Sequence, residues 1–132
     1  MEGFELTFPA RAECVSAARR AAAEYGRRLG LTERRLDELR TVVSEACMNA
    51  ALHAYDTPGR TYTMAMKEVG EEITITVTDC GGGIRPRPAS QASSSRLGLL
   101  LMVALSRRVE ISRLAAGGTR VIVDVPVRSE AA

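Results

Sequence analysis

The sequence predicts an α+β two-layer sandwich, a mixed and mostly antiparallel sheet carrying its helices on one face. Two long segments near the start repeat apolar residues at helical spacing, and five short segments alternate apolar and polar residues at strand spacing. Their order along the chain is β-α-α-β-β-loop-α-β-β, which suits helices layered on one side of a sheet.

Phe4, Leu6 and Phe8 alternate with Glu5 and Thr7, so the first strand buries one face before Pro9 stops it. From Ala12 to Leu29, the residues Val15, Ala18, Ala22, Tyr25 and Leu29 recur at three and four positions, the mark of an amphipathic helix that Gly30 ends. Thr32 caps a second helix with the stripe Leu36, Leu39, Val43, Ala46, Cys47 and Ala50, closed by Asp56, Pro58 and Gly59. Tyr62, Met64 and Met66, a turn around Gly70, and Ile73, Ile75 and Val77 form an antiparallel hairpin. Between Cys80 and Ser95 lie Gly81, Gly82, Gly83, two prolines and four serines, a composition that reads as a mobile loop. The apolar run from Leu97 to Leu105 predicts a short buried helix. Val109 and Ile111, a Gly117-Gly118 turn, and Val121, Val123, Val125 and Val127 make a terminal hairpin.

With 132 residues, 14.2 kDa and 45% hydrophobic content, residues 1–132 are expected to form a single domain. No apolar run approaches the roughly 20 residues that span a bilayer, and Glu2 and Glu5 interrupt any secretory leader. A cytoplasmic protein without a membrane anchor is the expectation. Cys14, Cys47 and Cys80 are too scattered for a Cys-x-x-Cys motif and suit reduced thiols, and His53 is the one histidine, which argues against zinc. A net charge of +2 with dispersed basic residues argues against direct nucleic-acid binding. The lone Lys67 follows a strand-like run, and no Gly-x-x-x-x-Gly-Lys-Ser/Thr loop exists to form a P-loop.

Two pieces carry chemistry. On the second helix Glu45 and Asn49 stand four residues apart and project side by side, while Ala46 and Ala50 keep the surface beside them small. A carboxylate and an amide at that spacing can orient a nucleophile and ligate Mg²⁺, or simply form a surface pair worth a few tenths of a kcal/mol. After the strongest strand comes Asp79-Cys80-Gly81-Gly82-Gly83-Ile84, a carboxylate followed by glycines that let backbone approach a ligand, or an ordinary turn. Such a carboxylate can accept a hydrogen bond from an exocyclic amine.

In this order, and separated by two strands, the pieces resemble the N-box Glu-x-x-x-Asn and the Asp-x-Gly-x-Gly box of the GHKL, or Bergerat-fold, ATPases. Within that superfamily, Thr41-Val-Val-Ser-Glu-Ala-Cys-Met-Asn-Ala-Ala-Leu-His-Ala-Tyr55 resembles the anti-sigma-factor serine/threonine kinases of the sporulation and general-stress types, matching Ser-Glu-Ala-x-x-Asn-Ala-x-x-His-x-Tyr throughout. The likeness runs from Phe4 to Gly118-Thr119, which resembles the family's last box. It implies Glu45 as general base and Asn49 as Mg²⁺ ligand. Asp79 would read adenine, Gly81 and Gly83 would be the loop glycines, and Thr119 would lie on the adenine side. It implies ATP and Mg²⁺ as cofactors, a sigma factor and a STAS-domain anti-anti-sigma protein as partners, and a homodimer. Arg19 falls about where the family presents an arginine to its partners, and it reads equally as a solvated helix charge.

The family's second Gly-x-Gly appears here as Arg96-Leu97-Gly98, with arginine in place of the first glycine. Arg96 can contact a phosphate through its planar guanidinium, or be a surface residue near a helix start. With the short, serine-rich lid from Arg85 to Ser95, this departure keeps open a sequestering module that binds ATP without transferring phosphate. A switch kinase that activates a phosphatase is a further alternative. His53 is not expected to be a phosphoacceptor, because it sits inside the helix that bears Asn49 and no dimerising hairpin accompanies it. Cys80 would place a thiol in the nucleotide loop.

Overall fold

The computed structural model describes residues 3–53, 59–79, 98–115 and 117–127, with only the backbone considered at Leu52 and His53. The helix stop at Asp56 and Pro58, the loop from Cys80 to Ser95, Gly81, Gly83, Arg96 and the side chain of His53 lie outside the described residues. The elements in chain order are β1 (Phe4–Pro9), a 3₁₀ turn (Ala12–Cys14), α1 (Val15–Arg28), α2 (Glu33–His53), β2 (Thr61–Val69) and β3 (Glu72–Asp79). There follow α3 over residues 98–105, β4 (Arg108–Arg113) and β5 (Thr119–Pro126). The predicted order and the α+β class are both found.

The strands form one sheet in the order β1-β2-β3-β5-β4, antiparallel at each described pairing. Alternation then sorts the faces. Tyr62, Met64, Met66, Ile73, Ile75, Val77, Val121, Val123 and Val125 point to one side and are buried beneath the helices. Thr74, Thr76 and Thr78 occupy the other side and stay partly open to solvent. On that side the Asp124 carboxylate accepts hydrogen bonds from the Thr74 hydroxyl and the Arg108 guanidinium, both at 2.7 Å, tying edge strand β4 to the sheet.

The helix layer follows from small residues and caps. Ala18 and Ala22 on α1 and Leu36, Leu39 and Val43 on α2 belong to one core cluster. A side chain at Gly26 would run into Leu36 and Leu39, so this glycine sets the close approach of the two helices. The Thr32 hydroxyl accepts the Arg35 backbone N–H at 3.2 Å, an N-cap worth about 1 kcal/mol. Gly30, with φ of 84°, ends the preceding helix in the left-handed region that glycine alone enters without strain.

Two expectations are corrected. Leu6 is 41% exposed rather than buried, because α1 stands away from the middle of β1 and leaves a groove of about 270 Å³ between Leu6, Ala21 and Arg28. Phe4 and Phe8 do pack inward, against Tyr25 and Tyr62. The helix α3 is not buried all round: Leu100 is 65% and Val103 54% exposed, with Leu99 and Leu101 also open. Only Gly98, Met102 and Leu105 turn toward the core, a stripe at spacings of four and three.

Candidate functional site

The site begins on α2. Glu45 and Asn49 are both half-buried at the margin of the core, with fully buried Ala46 and Cys47 beside them. Gly98, the first residue of α3, is buried directly against Glu45: a β-carbon there would overlap the carboxylate oxygen Oε2 and stand 3.0 Å from Cδ. Two predicted site residues from distant parts of the chain therefore meet.

The other predicted site residues within the described chain lie at the end of the sheet. Asp79 is the last residue of β3, directly opposite Tyr62 on β2 and Thr119 on β5. Directly opposed residues share a face, so all three sit on the helix-covered side. Asp79 is 3% exposed and Thr119 is 5% exposed. The Thr119 hydroxyl has no hydrogen-bond partner among the described residues. A buried hydroxyl left so costs about 1–3 kcal/mol, which a ligand with a complementary polar edge recovers. A carboxylate beside an unpartnered hydroxyl fits the amine and ring nitrogens of adenine.

One core contact ties α2 to the sheet next to Asp79. Cys47, between Glu45 and Asn49 on α2, lies against Tyr62, the residue opposite Asp79. This contact packs α2 on the sheet beside the end of β3, while Glu45 and Asn49, each two residues from Cys47, project from another side of the helix. The Tyr62 hydroxyl meets the thiol short of good hydrogen-bond geometry and has no other described partner.

Burial pushes the Cys47 thiol up from its ordinary 9.0 to about 12, a little offset by Tyr62, and burial followed by the nearby thiol raises Tyr62 as well. Both groups hold their protons more tightly folded than unfolded. Stability is therefore complete at neutral pH and falls with rising pH once the unfolded thiol ionises near 9.0, continuing toward about 12. The slope contributed by Cys47 is up to about 1.4 kcal/mol per pH unit. Urea unfolding across alkaline pH is expected to show this decline, and Cys47→Ala to make it shallower.

Arg19 lies elsewhere, exposed on α1 in a groove of about 490 Å³ that it shares with Arg20, Arg27 and Arg40. Glu24 is the groove's acidic member. That Arg40 of α2 lines the same groove depends on how the helices pack and is not given by the periodicity of α1. No helix among the described residues is long and apolar enough to cross a membrane.

The chain is similar to known proteins. A family described as "Histidine kinase-like ATPase domain" matches residues 8–125. The "Anti-sigma F factor" of Clostridium acetobutylicum is 30% identical over 128 residues, covering 90% of this chain and 90% of the relative. The "Serine-protein kinase RsbW" of Halalkalibacterium halodurans is 29% identical over 123 residues, covering 83% and 75% respectively. The "Anti-sigma F factor" of Pasteuria penetrans is 37% identical over 82 residues, covering 61% and 55%.

Proposed function

We propose, from the premise that this chain belongs to the histidine kinase-like ATPase domain family and within it to the anti-sigma-factor kinases, that it phosphorylates a STAS-domain anti-anti-sigma protein on serine or threonine and otherwise sequesters a sigma factor in the cytoplasm. The observation that supports this reading is the buried Asp79 directly opposite a buried Thr119 hydroxyl that has no hydrogen-bond partner among the described residues.

Each residue then has a task. Asp79 accepts the adenine amine, and Thr119 satisfies its hydroxyl against the same base. Glu45 accepts the proton of the attacking hydroxyl as the new oxygen–phosphorus bond forms, while the bond to the bridging oxygen breaks and ADP leaves with the electron pair. Asn49 would hold Mg²⁺ through its amide oxygen, a hard donor of the kind that ion takes together with phosphate oxygens and water. When bound, Mg²⁺ neutralises charge on the phosphates. By resemblance Gly81 and Gly83 would be the glycines of the loop after Asp79, and Arg96 would contact a phosphate; all three lie outside the described residues. Arg19 and its arginine neighbours offer positive charge to the protein partners, and the exposed Leu6 on edge strand β1 supplies a contact for a homodimer.

The test is incubation of the purified protein with labelled ATP, Mg²⁺ and a cognate STAS-domain protein. Label is expected on a serine or threonine of that protein. Asn49→Ala is expected to weaken Mg²⁺-dependent ATP binding by about tenfold at unchanged fold, the loss of one charge-assisted contact. Equal affinity in the variant removes the metal role. The arginine in place of the first glycine of Arg96-Leu97-Gly98 favours a second reading, an ATP-dependent sequestering module. Tight ATP binding with no label transferred supports that module over the kinase.

A further inference from the structure

Gly98 is helical and has none of the positive φ values found at Gly30, Gly59, Gly70, Gly117 and Gly118. Its backbone therefore does not require glycine, and in a helix glycine costs about 1 kcal/mol relative to alanine. Space requires it. The atoms nearest a β-carbon at this position are Oε2, Cδ and Cγ of Glu45, the last two at 3.0 and 3.6 Å. No backbone atom is among them. They form the outer end of a flexible side chain, so a methyl group here is accommodated by turning Glu45 to another rotamer while α2 and α3 stay in place.

We infer that Gly98 is a positioning residue for Glu45: the absent side chain holds open the space in which the carboxylate keeps one orientation. This rests on the reading of Glu45 as general base. It differs from a role in admitting phosphate, because it places the effect of any side chain at Gly98 on the proton acceptor rather than on nucleotide affinity. A displacement of about 1 Å at a reacting group can cost on the order of a hundredfold in rate.

The experiment compares wild type, Gly98→Ala, Glu45→Ala and the double variant, with the Glu45 carboxyl-carbon resonance assigned by its absence in Glu45→Gln. Gly98→Ala is expected to stay folded, to shift that resonance, and to lower kcat by about tenfold to a hundredfold with KM for ATP changed less than about threefold. The double variant is expected to be no slower than Glu45→Ala, since both changes act through one group. An unmoved resonance, an unfolded Gly98→Ala protein, a loss that falls on ATP binding, or additive losses in the double variant each overturn the inference. If wild type transfers no phosphate but the resonance moves in Gly98→Ala, the positioning stands and the kinase reading falls.

Discussion

Glu45→Gln is expected to bind Mg·ATP nearly as well as wild type and to phosphorylate its protein acceptor about 10²–10⁴-fold more slowly, the usual contribution of a positioned general base. Glutamine keeps the length and the packing against Gly98 but cannot accept the proton of a hydroxyl nucleophile. The loss should therefore appear in kcat, with nucleotide affinity from calorimetry almost unchanged. Binding and rate falling together would mean that Glu45 shapes the nucleotide pocket instead, and an unaltered rate would remove it from the chemistry.

Asp79→Asn is expected to act on the opposite quantity. The carboxylate is buried at the junction of three strands and can only accept hydrogen bonds, which suits the amine of adenine and repels the keto oxygen of guanine. Replacing a charged acceptor by an amide of the same shape removes about 1.5–3 kcal/mol, or roughly tenfold to a hundredfold in ATP affinity. Discrimination against GTP should narrow at the same time. Competition binding with both nucleotides checks this, and unchanged preference would separate Asp79 from base recognition.

Much of this arrangement was legible because strand period and turn position together determine register. Once Gly70 and Glu71 form the hairpin turn, counting outward places Asp79 opposite Tyr62, as observed. That Glu45 and Asn49 lie side by side was legible from helical spacing, while their roles came only from the resemblance. The misjudged elements share a cause. The run from Leu97 to Leu105 is apolar on every side, so its pattern has no phase, and which stripe turns inward, with Met102 fully buried, is decided only by packing. Leu6 alternates correctly, yet its exposure depends on how far α1 stands from an edge strand. Cys47 and Tyr62 were read as core and are core. Their contact with each other appears only when helix and sheet are packed together.

The strand order also grades the two ends of the site in rigidity. Asp79 is on the middle strand of the sheet and Thr119 on its immediate neighbour, where backbone hydrogen bonds run on both sides. Gly98, by contrast, opens a helix that touches the rest of the protein along a single stripe. Partial opening is easiest where apolar contacts are few, so in the proposed binding mode a fluctuation that moves α3 and Glu45 can leave the base anchored at Asp79. Nucleotide exchange would then proceed tail first, with the purine the last group to let go.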